Sequence, residues 1–290
     1  MLSKIIIKSS IFNNYPFTTG LNSNIMKQDL KITIVQCDLY WEDIKKNFTQ
    51  FDLLLGLIEE DTDLIVLPEM FNTGFAMSPL RIAEAMDGPT MQWMARKASD
   101  FGCVVTGSLA ISEAGRFYNR LIWMNPDGTY RHYDKRHLFR MGNEQQFFAE
   151  GEQKLLVEIK GWKISPLICY DLRFPVWSHN RYLENGYEYD LLIYVANWPA
   201  ARATVWKSLL VARAIENMCY AAGVNRIGID GKGVTHQGDS AVIDFKGRQI
   251  TTLLPNIRGV NTIILKHNDL NEFRDNFKVG LDWDQFEIHR

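Results

Sequence analysis

From Leu30 to Lys266 the chain alternates short apolar runs with segments of helical periodicity. Such alternation restricts it to an α/β architecture, with sheet strands joined by helices that cover them. LKITIVQCD from Leu30 reads as a first strand, and Ile44 to Glu60 as a helix with Phe48, Phe51, Leu54, Leu55 and Ile58 on one face. DLIVLP, Asp63 to Pro68, is a buried strand stopped by proline. Pro89 to Asp100 is helical and leads into the strand CVVTGSLA. Tyr118 to Asn125 and Tyr130 to Tyr133 flank the turn Pro126-Asp127-Gly128, a hairpin signal. Trp162 to Ile168 and Asp190 to Ala196 are two further buried strands, followed by a helix over Ala203 to Asn217 and a strand at Ala221 to Arg226. SAVIDFKGRQI and VNTIILK supply the last strands.

At 290 residues, 46% hydrophobic and 23% charged, the chain can bury a substantial core in one large domain over 28–290. Its 32 basic and 34 acidic side chains leave a net charge of -2. That balance carries no electrostatic footprint for nucleic acid or an anionic membrane and points to a small neutral or anionic ligand. No run approaches the roughly 18 apolar residues of a membrane helix. Cys37, Cys103, Cys169 and Cys219 are widely spaced with no CxxC pair, which suggests a reducing, cytoplasmic setting. Residues 1–27 read as a poorly ordered extension, with Met26 a candidate natural start; their apolar run is too short for a secretory signal.

Three polar residues stand directly after apolar strands or turns. Glu69 in LIVLPEMFNTGF is held between a buried strand and Met70-Phe71, where desolvation suits a general base, although a solvated loop carboxylate has the same local sequence. Lys135 in HYDKRHLFRMGNE lies among aromatic and basic neighbours, and on its own reads as a surface lysine. Cys169 in WKISPLICYDLRFPVW ends a strand ahead of a charged turn. Most isolated buried thiols are inert, but such an elbow exposes a nucleophile beside free backbone N–H groups.

Together the three resemble the nitrilase superfamily, whose motif blocks place Glu after a buried strand, Lys after a hairpin and Cys after another buried strand. LPEMF, YDKRHLF and CYDLRFP match in order, and the resemblance spans roughly residues 30 to 270. Within it the chain looks most like the bacterial omega-amidase branch acting on 2-oxoglutaramate, through FNTGFAM, KRHLFRMGNEQQFF, CYDLRFPVWSHN and YVANWPAARATVWKSLLVARAIEN. His179 departs from the WSRN form of that branch.

The resemblance implies a four-layer αββα sandwich, a homodimer or higher homo-oligomer, no cofactor and no metal. It implies that Glu69 moves protons, Cys169 forms a thioester, and Lys135 with the Tyr170 N–H holds the oxyanion while favouring the Cys169 thiolate. Glu144 matches the superfamily's second glutamate, with Glu150 and Glu152 as competitors. For a substrate carboxylate Arg173 is the candidate fork, an ion pair with Asp171 or a helix-capping role being its alternatives. Asn197, Trp198, Phe75 and Met77 are candidate pocket walls. The expected reaction is hydrolysis of the terminal amide of a small dicarboxylic or 2-oxo acid monoamide. Nitrile or N-carbamoyl hydrolysis would use the same three groups, and a non-catalytic protein on this fold would be expected to lose one of them. Phosphate chemistry lacks GxxxxGK[ST], Gly228 to Gly233 being a loop, and His132 and His137 form no HExxH zinc pattern.

Overall fold

LKITIVQ forms a strand over Leu30–Gln36, and its neighbours explain why it is apolar on both faces. It pairs in parallel with Leu64–Val66 and antiparallel with Gly259–Leu265, so it lies inside a sheet and its alternate side chains enter two different cores. Leu30, Ile32 and Ile34 join one apolar cluster, and Val35 joins the other. The computed structural model describes residues 28–184 and 186–288; the proposed N-terminal extension lies outside them.

The first sheet has the spatial order Gly259–Leu265, Leu30–Gln36, Leu64–Val66, Val104–Glu113, Arg116–Met124, Tyr130–Asp134. The second runs Ala241–Ile243, Tyr220–Asn225, Leu191–Ala196, Trp162–Ile168, Val157–Ile159. Each has three parallel strands at its centre and antiparallel strands outside them. The sheets pack face to face, because Ile32, Leu64 and Trp123 of the first share one cluster with Ile164, Leu191 and Val195 of the second. Each such aliphatic side chain, fully buried, stabilises the fold by about 1.5–3 kcal/mol.

Helices form the outer layers. Ile44–Leu55 and Pro89–Phe101 cover the first sheet through Phe51, Leu54, Met91 and Trp93. Ala203–Glu216 and His267–Asn276 cover the second through Trp206, Leu210 and Leu270. At Gly223 a Cβ would stand 2.5 Å from Leu210 and 2.6 Å from Trp206, so only glycine lets Ala203–Glu216 lie directly on its strand. The result is the αββα sandwich expected.

Two expectations change. The first helix stops at Leu55 rather than Glu60, because the N–H groups of Leu57 and Ile58 bond Leu54 and Leu55 at 3.0 and 3.1 Å. Those tight i to i+3 bonds end the helix and leave Leu57 exposed. Helix His267–Asn276 was not expected, since it is polar along most of its length. It is fastened by Arg274, which is buried and donates to Asp190 at 2.6 Å, Met218 O at 2.8 Å and Tyr189 O at 2.9 Å.

Candidate active site

The chemistry collects where strands of both sheets end at their carboxyl termini, the usual position for sites in α/β folds. From the first sheet come Glu69, just past Leu64–Val66, and Lys135, just past Tyr130–Asp134. Cys169 follows Trp162–Ile168 and Asn197 follows Leu191–Ala196 in the second. Cys169 has φ 44° and Met70, next to Glu69, has φ 43°. A left-handed backbone at a non-glycine residue costs on the order of 1–3 kcal/mol and persists only where the surroundings enforce it. At both positions the strand stops abruptly and the chain turns across its end.

Glu69, Lys135 and Glu144 are completely buried and form one connected cluster. Lys135 Nζ donates to Glu69 Oε1 at 2.8 Å and to Glu144 Oε2 and Oε1 at 2.9 and 3.1 Å. Asn119, on Arg116–Met124, donates through one Nδ2 to Glu69 Oε1 at 2.8 Å and Glu144 Oε1 at 2.9 Å. Its own Oδ1 accepts from Ser108 Oγ at 2.8 Å, and Ser108 Oγ accepts the Met70 N–H at 3.0 Å. Glu69 Oε2 accepts the Asn197 N–H at 2.8 Å, and Glu144 Oε2 accepts the Phe139 N–H at 2.6 Å. Two buried carboxylates beside one ammonium are thus supplied with donors on every side, as buried charges require.

Burial opposes the charge on Lys135, but Glu144 and then Glu69 outweigh it and its pKa stands above the ordinary lysine value. Burial raises the carboxyl pKa of Glu144 despite Lys135. At Cys169, burial first and the Glu69 carboxylate second push the thiol well above its usual range, while Lys135 and the Asn197 backbone pull the other way. Lys135 thus favours the Cys169 thiolate, as expected, while burial and the Glu69 carboxylate act against it and prevail.

Cys169 opens a short helix, Cys169–Arg173, whose first N–H groups, including that of Tyr170, have no preceding turn to bond. Buried Asp171 fixes this elbow. It accepts the Ile168 N–H at 3.1 Å, the Tyr133 hydroxyl at 2.8 Å, and the His137 N–H and Nδ1 at 3.0 and 2.8 Å. One carboxylate therefore ties the Cys169 turn to both sides of Lys135. Because Asp171 is committed in this way, the ion pair considered for Arg173 does not form; Arg173 lies over the Trp198 ring at 5.3 Å instead.

A cavity of about 390 Å³ opens onto Cys169, within the size range of small-ligand sites. Phe75, Tyr170, Arg173, Asn197 and Trp198 line it, as do Phe139, Arg202, Lys232 and His236. Met77 does not: it packs on the separate cluster of Met70, Ala76, Ile82 and Leu138. Glu150 and Glu152 face a different, polar cleft, leaving Glu144 as the second glutamate of the cluster. His179 packs against Trp283 and Phe286, away from the cavity lining. Asn119, Ser108 and Arg202 escaped the sequence reading, and Asp171 entered it only as a partner for Arg173. Ser108 and Asn119 carry a signal after the fact, being polar residues within otherwise buried strands.

A family model for carbon-nitrogen hydrolases matches residues 31–275. The chain is 44% identical over 259 residues to omega-amidase YafV of Escherichia coli K12, covering 89% of this chain and 98% of that protein. It is 32% identical over 220 residues to 2-oxoglutaramate amidase of Bacillus subtilis, covering 75% and 83% of the two chains. The crystal structure of XC1258 from Xanthomonas campestris, a CN-hydrolase superfamily protein, superposes with a TM-score of 0.88 at 44% identity, covering 90% of this chain and all of that one.

Proposed function

The chain belongs to the carbon-nitrogen hydrolase family, and from that premise we propose that it is an omega-amidase releasing ammonia from the terminal amide of a small dicarboxylic or 2-oxo acid monoamide. The observation that carries this reading is a small cavity that joins Cys169 to guanidinium groups with no ion-pair partner among the described residues, beside a buried carboxylate–lysine cluster. One end suits attack on an amide and the other suits a carboxylate.

In this mechanism the Cys169 thiol passes its proton to Glu69 as sulfur attacks the amide carbon. Oε1 of Glu69 accepts from Lys135 and Asn119 and Oε2 from the Asn197 N–H, so the carboxylate that moves the proton is fixed at both oxygens. Lys135 Nζ and the Tyr170 N–H stabilise the oxyanion, at about 3–4 kcal/mol per donor in hydrolases of this kind. The tetrahedral adduct collapses, Glu69 returns the proton to the departing nitrogen, and ammonia leaves a thioester on Cys169. Glu69 then takes a proton from water, which attacks the thioester; the carbon–sulfur bond breaks, the thiol is restored and the acid departs. Burial and the Glu69 carboxylate raise the Cys169 thiol pKa, which fits a thiol that gives its proton to Glu69 in the step of attack. The four free, buried cysteines support a cytoplasmic setting.

The test is ammonia release from 2-oxoglutaramate, succinamate, an aliphatic nitrile and an N-carbamoyl amino acid. Both omega-amides are expected to be hydrolysed at least about 10-fold faster, as kcat/KM, than the nitrile or carbamoyl compound. Failure to release ammonia from either omega-amide would end this assignment.

Asn119→Leu is expected to lower kcat by about 10- to 100-fold, the equivalent of losing a buried bond to a charged group, with KM nearly unchanged. Steady-state kinetics on succinamate, with a melting curve to exclude unfolding, checks it. A rise in KM at unchanged kcat would mean that Asn119 acts on the pocket instead.

A further inference from the structure

The cavity holds more positive charge than one carboxylate needs. Arg173, Arg202 and Lys232 all line it, and among the described residues none of the three side chains has an ion-pair partner. Its one acidic lining residue is Asp230, whose Oδ1 is engaged by the N–H groups of Lys232 and Val234 at 2.8 and 2.9 Å. Lys232 is exposed on a turn, whereas the two arginines are half-buried and held by aromatic faces. Arg173 lies 5.3 Å over Trp198, and Arg202 lies 5.4 Å over Phe139. Arg202 also reaches the Met141 sulfur at 3.7 Å, while its carbonyl accepts the Trp198 indole N–H at 2.9 Å. Its backbone is therefore tied to the wall that carries Arg173, and its side chain to the loop following Lys135.

Two guanidinium forks on two walls of one small cavity match more than a single carboxylate. A carboxylate offers two oxygens, which one fork satisfies. A 2-oxo acid adds a third acceptor, its keto oxygen, next to the carboxylate. Leaving a buried acceptor unpaired is costly, so a second fixed donor would discriminate between the two kinds of acid. Asn197, which also lines the cavity, spends its Nδ2 on the Glu69 carbonyl at 2.6 Å.

We infer that Arg202 is a specificity-determining residue, which binds the keto oxygen of a 2-oxo acid monoamide while Arg173 holds the carboxylate. This rests on the omega-amidase reading above. It makes the 2-oxo acid amide the preferred substrate and the plain dicarboxylic monoamide the poorer one. The reaction that supplies such a substrate must leave a ketone next to the carboxylate while sparing the distant amide, as removal of a 2-amino group does.

Binding and turnover are measured separately so that the two readings can fail separately. In Cys169→Ala protein, calorimetry compares 2-oxoglutarate with glutarate, which differ only in the keto oxygen. Adding Arg202→Met should weaken 2-oxoglutarate at least about 10-fold and glutarate less than about 3-fold. Arg173→Leu should weaken both about equally. Arg202→Lys, which keeps charge but loses the planar fork, should recover only part of the 2-oxoglutarate affinity. In the enzyme with Cys169 intact, Arg202→Met should raise KM for 2-oxoglutaramate and leave an uncharged amide such as butyramide within about twofold. Equal weakening of both diacids by Arg202→Met, or no weakening of either, overturns the role of Arg202. A normal binding result with no omega-amide turnover by the unsubstituted protein overturns the omega-amidase reading instead.

Discussion

Cys169→Ala should lower ammonia release from succinamate and 2-oxoglutaramate by at least about 10⁴-fold, because removing the nucleophile proposed to form the covalent intermediate would leave only binding and charge stabilisation. Intact mass after brief exposure to substrate should show the unsubstituted protein heavier by one acyl group and the variant unchanged. The substitution removes one sulfur from a site already held by Asp171 and by the Asn197 N–H, so the fold should survive it. Retained turnover in this variant would dispose of the thioester mechanism altogether.

Glu69→Gln should lower kcat by about 10³-fold or more, since it deletes the one group proposed to carry protons in both half-reactions. Its second effect has the opposite sign. The Glu69 carboxylate is, after burial, the main influence raising the Cys169 pKa, while Lys135 lowers it. Removing the anion and keeping the cation must bring the thiol pKa down. Thiolate absorbance, measured against the Cys169→Ala background, should therefore appear at lower pH in Glu69→Gln than in the unsubstituted protein. A variant with more thiolate and less turnover separates a proton carrier from a group that merely sustains nucleophilicity. If the thiol titrates at higher pH in the variant, the electrostatic account of the cluster is wrong.

Much of this was legible in the sequence because it rests on apolar periodicity and on abrupt strand ends. Both sheets announce themselves as runs such as LKITIVQ and LLIYVA, and Glu69, Lys135 and Cys169 each follow such a run or its hairpin. What stayed hidden depends on contacts across large sequence separations. Asn119 looks like any polar residue on a hairpin strand until it is seen bonding carboxylates 50 and 25 positions away. Arg274 hides a helix in the same way, its anchor being a guanidinium bonded 84 positions back to Asp190 rather than an apolar stripe. The pull of Lys135 on the Cys169 thiol could be read from the motifs, whereas the desolvation that opposes it comes from the whole packed sandwich. Met77 shares a hydrophobic word with Phe75, yet only Phe75 reaches the cavity.

The two sheets contribute unlike halves of the cluster: acid–base groups and lysine from one, thiol and the Asn197 N–H from the other. If catalysis runs as proposed, it is a coincidence detector for the docking of two half-structures. On the proposed mechanism neither sheet alone carries the full set of groups that attack on an amide requires. A newly made chain would stay chemically silent until its last large surface closed, and its turnover number would report that closure more sharply than its content of strand or helix.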